Sequence, residues 1–470
     1  MQQPDLMEKN WSACDLQAAL AELQTAAPAV RSTQPAPFLF KRGLAPDAAC
    51  ADFARHHAGL PARPTATDEP AMLYAQPDTP DLLLGLYGSE TRLRNWTPAL
   101  RSAPMPAAAR NLTPRAPVPS GHDHQFWPQV DLAGLPIPKS SPRDAGRYVT
   151  MGFVLAEEPD QPPALSAHRM LVLDQKHLGI SMLSSRHLRH MAQSAWDAGR
   201  DLPISINIGV PPAVAIASAT ATAHLPVAFD KLSLAGGLAQ APVLLSRDAR
   251  APATFLSSAE VVLHGVLTPE TCAETLSPRP KGVTMPEFLG YDGQAGADLQ
   301  VIRLSAISQR PGAVFQATLG PGREQSAILG LGGSLALSLA LSDQLTDDIA
   351  DLHYSSAGGG MLLLYVALKP EAKVNKAGLA RDIITVMPFT KTIVFVDSDI
   401  DLTCDADVNW AMTTRCNLAR DCHELSGFPP LRMDPSQTPN WQNHGGSPPC
   451  RSWIDATCPA SLLERTRRSF

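Results

Sequence analysis

The chain has 470 residues, 44% hydrophobic and 18% charged, with a formal net charge of −6. That length accommodates two or three domains with separate cores, and the acidic balance excludes a general nucleic-acid binder, which needs a basic face. The longest apolar run, ILGLGGSLALSLAL (328–341), is too short to span a bilayer, and MQQPDLMEKNW lacks a signal-peptide pattern, so a soluble cytoplasmic protein with no membrane contact is expected.

In chain order, SACDLQAALAELQTA (12–26) predicts a short amphipathic helix with Leu16, Leu20 and Leu23 on one stripe. Between Pro70 and Trp96, AMLYAQ and LLLGLYGS predict strands, and SETRLRNW a capped helix. The stretch 100–120, rich in Pro, Ala and Arg, reads as a linker. From about 120 to 320 the texture changes to short β-rich runs punctuated by Gly and Pro, among them YVTMGFVLA, HRMLVLD, LPISINIGV, AEVVLHGVL and LQVIRLSAIS. These predict a barrel or sandwich. One helix interrupts at 184–199, with Ser184 and Ser185 available as caps and Gly199 as terminator.

Beyond 320 a buried helix (326–341), a strand (358–369), a helix (375–386), a strand (392–402) and a helix (405–416) predict an α/β domain. GLGGS (330–334) lacks the GxGxxG spacing, so its glycines read as helix packing. The eight cysteines form no CxxC pair, which removes the usual signature of structural zinc.

One residue in the β-rich region is out of place. Across ALSAHRMLVL (164–173), Leu165, Ala167, Arg169, Leu171 and Leu173 share one face of a strand, and His168, Met170 and Val172 the other. Neither face is solvated, and an unpaired buried guanidinium is costly, so Arg169 requires an anionic partner.

Several segments, in order, resemble the UbiD family of decarboxylases. They are SPRDAGRYVTMGFVLAEEPD (141–160), the Arg169 strand, AEVVLHGVL (259–267), EFLGYDG (287–293), FQATLGPG (315–322), GGGMLLLYVALKP (358–370), TKTIVFVDSDID (390–401) and WIDAT (453–457). The resemblance implies a mixed α/β fold in three parts. These are an N-terminal α/β domain (1–115), a central split β-barrel of flavin-reductase type that binds prenylated FMN (116–322), and a C-terminal α/β dimerisation domain (323–470). It implies Arg169 and Glu287 as catalytic residues, Glu287 as proton donor. Cofactor contacts would come from Ala164, Leu165, Ser166, Ala167, His168, Arg169, Arg186, His187, Lys231 and Lys391. A prenyltransferase would supply the cofactor, and the chain would assemble as a dimer or hexamer.

The family pattern is broken twice. A first glutamate stands five residues before the proton donor in the family; here RPKGVTMPE offers Gly282, or Lys281 with one inserted residue. The family also binds a divalent metal, manganese or iron, through Asn, His and Glu beside the flavin phosphate, with potassium as a further candidate ion. Only His187 matches; Ala164 and Lys231 replace the other two ligands, and Asp230 would serve only after a one-residue shift. One lysine carries the same net charge as a divalent metal plus one carboxylate, so Lys231, with Lys391, is a candidate replacement at the phosphate.

The expected function is prenylated-FMN-dependent decarboxylation, reversible in principle, of an aromatic, heteroaromatic or α,β-unsaturated carboxylic acid. The alternative is a non-catalytic or regulatory subunit of a larger carboxylase, since relaxed selection would also remove a glutamate and two metal ligands.

Overall fold

The computed structural model describes residues 15–25, 38–60, 63–64, 68–183, 186–274, 283–286, 288–341, 348–370, 372–431, 433–446 and 448–465. At the N-terminal end the helix Leu16–Thr25 buries Leu16, Leu20 and Leu23, the stripe its spacing predicts. Four strands follow in the spatial order Phe38–Arg42, Ala71–Ala75, Asp81–Leu84 and Val314–Gln316. The last lies within the segment assigned from sequence to the central domain, yet it pairs in parallel with Asp81–Leu84. The N-terminal sheet is therefore closed by chain that has already passed through the barrel. Ser89 caps the helix Glu90–Asn95 by accepting from the Arg92 amide, as SETRLRNW predicts.

The stretch read as a linker is not one. Residues Met105–Asn111 form a helix that buries Met105, Ala108 and Ala109. Pro106 sits in its first turn, where a missing amide donor costs nothing. Proline and alanine there mark a helix start rather than an extended connection.

The central sheet closes on itself. Strands Tyr148–Ala156, Ala164–Val172, His177–Ile180, Leu299–Gln309, Val261–Cys272 and Leu202–Ile208 form a six-stranded antiparallel barrel, sealed where His177–Ile180 pairs with both Ala164–Val172 and Leu299–Gln309. Closure removes free edges, so both faces of each strand are covered and the clean polar–apolar alternation disappears. Val154, Met170, Ile204, Leu263 and Ile302 fill the interior. Leu165 and Phe153 point outward into a second core shared with the helices Pro212–Ala219 and Lys231–Ala239. Those two helices are buried nearly all round, which leaves no amphipathic period for a sequence reading to detect.

The helix Arg323–Ala340 leads out of the barrel. Its glycines are packing residues: a Cβ on Gly332 would stand 2.6 Å from the Ala219 Cβ, and one on Gly330 would stand 2.9 Å from the Tyr354 carbonyl. Beyond it lies a five-stranded sheet in the order Ile349–Tyr354, Leu363–Leu368, Thr392–Asp397, Arg451–Ala456 and Cys422–Leu425, flanked by Lys376–Val386 and Asp405–Thr414. The strand begun at 392 ends at Asp397, short of the Leu402 its sequence suggests. Among the described residues no helix is long and apolar enough to cross a membrane.

Candidate active site

Arg169 lies near the middle of the Ala164–Val172 strand, on the outer face of the barrel, and its partner is Glu274. The guanidinium donates to both carboxylate oxygens, Nε to Oε1 at 3.0 Å and Nη2 to Oε2 at 3.1 Å. This two-pronged geometry matches the planar fork to the planar carboxylate. Glu274 is 0% exposed and the Arg169 side chain 22% exposed. The carboxylate also accepts from the Gly296 amide at 2.7 Å and the Tyr148 hydroxyl at 3.2 Å. A buried carboxylate so fully hydrogen-bonded orients the guanidinium rigidly.

Glu274 follows the end of the Val261–Cys272 strand, and its amide bonds back to the Gly296 carbonyl. Sequence reasoning missed it, because the family glutamate was sought five or six residues before Glu287. A weaker signal was present: Glu274 is the only acid between Glu270 and Glu287, and Glu270 is exposed. Glu287, Lys281 and Gly282 lie outside the described residues, as do the helix caps Ser184 and Ser185.

The open part of this face is small. Ala167, two residues before Arg169, is exposed in a strand whose other side chains are buried or half-buried. A flat ring could lie against a methyl group there, next to the guanidinium. On the opposite face His168 is buried, with Nδ1 donating to the Ser181 carbonyl at 3.0 Å and Nε2 accepting from the Ser166 hydroxyl at 2.8 Å. Burial, with the charges of Arg186 and Lys231, holds its pKa near 4, so it is neutral. His168 therefore makes no partner for Arg169, as the strand alternation indicates.

The metal ligands implied by the family do not assemble. Ala164 presents a buried methyl. Lys231 opens the helix Lys231–Ala239 and is 5% exposed, with Nζ donating to the Ser218 carbonyl at 2.9 Å. Asp230, the alternative acid, is spent as the N-cap of that helix, accepting from the Ser233 amide. His187 donates from Nε2 to the Pro162 carbonyl at 2.8 Å. Among the described residues no cluster of three His, Cys, Asp or Glu side chains is placed to hold a metal. These residues do not fit a divalent cation.

Nor are the two lysines paired as the sequence suggests. Lys391 precedes the Thr392–Asp397 strand and is committed to Asp434 at 2.5 Å and to the Ser436 hydroxyl at 2.8 Å. Burial of Lys231, with a smaller contribution from the charge of Arg186, lowers the lysine pKa to about 7. A cavity of about 530 Å³ lies between the helix Pro46–His56, the loops at 139–142 and 319–321, and the residues Pro286 and Gly290. Arg169, Glu274 and Lys231 do not line it, whereas Pro286 and Gly290 flank the Glu287 segment.

A closed antiparallel barrel braced by an α/β unit on each side is the architecture this chain shares with solved UbiD-class decarboxylases. The apo structure of a 3,4-dihydroxybenzoic acid decarboxylase from Enterobacter cloacae superimposes with a TM-score of 0.82 at 27% identity, covering 97% of this chain and 96% of that one. The UbiD-class enzyme HmfF from Pelotomaculum thermopropionicum, in complex with FMN, gives 0.77 at 25% identity, covering 97% of each chain. The chain belongs to the UbiD family of carboxy-lyases. Profiles of the 3-octaprenyl-4-hydroxybenzoate carboxy-lyase Rift-related and C-terminal domains match residues 113–324 and 327–456. It is 29% identical to the gallate decarboxylase of Lactiplantibacillus plantarum over 71% of this chain and 69% of that protein. It is also 27% identical to the anhydromevalonate phosphate decarboxylase of Methanothermobacter thermautotrophicus, over 77% and 81%.

Proposed function

We propose that the protein decarboxylates an aromatic, heteroaromatic or α,β-unsaturated carboxylic acid with prenylated FMN lying against the Ala164–Val172 strand. The observation that carries this reading is the Arg169–Glu274 pair. A guanidinium fixed by a fully buried carboxylate, beside the exposed Ala167, is suited to orient both a flavin ring and a substrate carboxylate. Glu274 takes the part of the glutamate that the RPKGVTMPE segment lacks, from thirteen positions before Glu287. The loss that favoured a non-catalytic subunit is thereby offset.

The bound prenylated flavin would accept the electron pair released as carbon dioxide leaves. The protein's own residues hold the substrate carboxylate at Arg169 and return a proton to the carbon it departed from. Glu287, on family grounds, is the proton donor. A prenyltransferase supplies the cofactor, and the working assembly is a homo-oligomer. The direct test is reconstitution of the pure chain with prenylated FMN. The flavin absorption spectrum should appear, and carbon dioxide should be released from members of a panel of aromatic and unsaturated acids. Flavin binding with no turnover on the whole panel would instead support the subunit reading.

A further inference from the structure

Separate stretches of chain meet at the Glu274 carboxylate. Oε1 accepts from Arg169 Nε at 3.0 Å and from the Tyr148 hydroxyl at 3.2 Å. Oε2 accepts from Arg169 Nη2 at 3.1 Å and from the Gly296 amide at 2.7 Å. Each oxygen thus holds one arm of the guanidinium and one donor from another segment, which fixes the carboxylate plane as well as its position. The main chain closes the arrangement, because the Glu274 amide donates to the Gly296 carbonyl at 3.0 Å. Between 274 and 296 the chain makes an excursion that includes the antiparallel strands Val283–Pro286 and Asp292–Gln294, and Glu287 stands in the sequence joining them. That excursion leaves and returns at the residue that holds Arg169.

Tyr148 is placed to steady this junction. It is 0% exposed, its ring shares a small core with Leu171 and Leu299, and it lies opposite Leu171 in the strand pairing. Leu171 is on the Arg169 face of its strand, so the ring approaches the ion pair from the neighbouring strand. A packed phenol keeps little freedom beyond rotation of its O–H, and this one meets a carboxylate. Phenylalanine would fill the same apolar space, so packing alone does not call for the hydroxyl.

We propose that Tyr148 is a positioning residue: acting through Glu274, its hydroxyl sets the direction of the Arg169 guanidinium and locks the base of the excursion that carries Glu287. The clasp follows from the hydrogen bonds, and its bearing on catalysis rests on the decarboxylase reading. One carboxylate then aligns both groups assigned to the substrate, Arg169 through a side-chain fork and the Glu287 segment through the main-chain pair at Gly296. Such a clasp controls alignment rather than attraction. Without the hydroxyl the guanidinium is still present and charged, so it still draws in a carboxylate, but its aim at the reacting carbon is loosened.

The test is Tyr148→Phe in the full chain, which removes the hydroxyl and keeps the ring. In the apoprotein the equilibrium constant for urea unfolding should rise by about tenfold, the worth of one hydrogen bond to a charged group. The same substitution should not raise it in an Arg169→Met/Glu274→Met background, where the carboxylate is gone and neither partner is stranded. In protein reconstituted with prenylated FMN, on an acid the wild type decarboxylates, kcat should fall by about tenfold or more. KM should stay within about twofold and the flavin affinity unchanged, a split that general loosening of the fold would not give. An equal rise in the unfolding constant in both backgrounds, or a Tyr148→Phe enzyme that keeps the wild-type kcat, would overturn the proposal. If the wild type binds prenylated FMN and turns over no acid while the unfolding results hold, the clasp stands and the decarboxylase reading fails.

Discussion

Replacing Glu274 and Arg169 by methionine, singly and together, measures the central ion pair. At a separation of about 4 Å and an effective dielectric near 20, two unit charges attract by about 4 kcal/mol. Removing one partner of a buried pair typically costs about 3–5 kcal/mol, because the other charge is stranded. The two sides are unequal here. Arg169 is 22% exposed and can recruit water, so Glu274→Met should cost about 3 kcal/mol. Glu274 is fully buried, so Arg169→Met should cost nearer 4–5 kcal/mol, with the Gly296 amide and Tyr148 hydroxyl giving partial relief. The double variant leaves neither partner of the pair stranded and should lose only about 1–2 kcal/mol, for a coupling energy of about 5–7 kcal/mol. Urea unfolding of the four proteins, at fixed concentration and without cofactor, completes the cycle. A coupling below about 0.5 kcal/mol would refute the argument that Glu274 is the anion Arg169 requires.

Further outcomes follow from other positions. Ala167→Leu should leave the apoprotein's unfolding midpoint nearly unchanged, since the site is exposed, and should weaken FMN binding at least tenfold; unchanged flavin affinity in a fluorescence titration would remove the ring from that face. Burial and the neighbouring Glu69 push the Glu324 carboxyl up to about 7. A raised folded-state pKa stabilises the protonated form, so this contribution is complete below about 4.5 and is lost as pH rises through 7. Relative to Glu324→Gln, the wild type should lose on the order of 3 kcal/mol between pH 5 and 8, read from urea midpoints across that range; a pH-independent difference would contradict it. Gly332→Ala drives a methyl to within 2.6 Å of Ala219 and 2.9 Å of the Ile216 carbonyl, and should destabilise by about 1–3 kcal/mol in the same assay.

Much of this protein is legible in its sequence. Apolar runs of strand length between 148 and 309, and the alternation of helix and strand after 320, specify the element types, because burial imposes its period on the residues themselves. The misplaced arginine at 169 announces a buried anion for the same reason: a charge among apolar neighbours must be answered somewhere. Family motifs single out the 164–172 strand, and they expose the substitutions at 164 and 231. Which acid answers Arg169 was decided only in three dimensions. Glu274 reaches Arg169 across a separation of 105 residues because barrel closure brings the end of one strand beside the middle of another. Linear spacing carries information about contacts within an element, where geometry is periodic. Contacts between elements depend on the path of the whole chain, and the chemistry of this site is made of those.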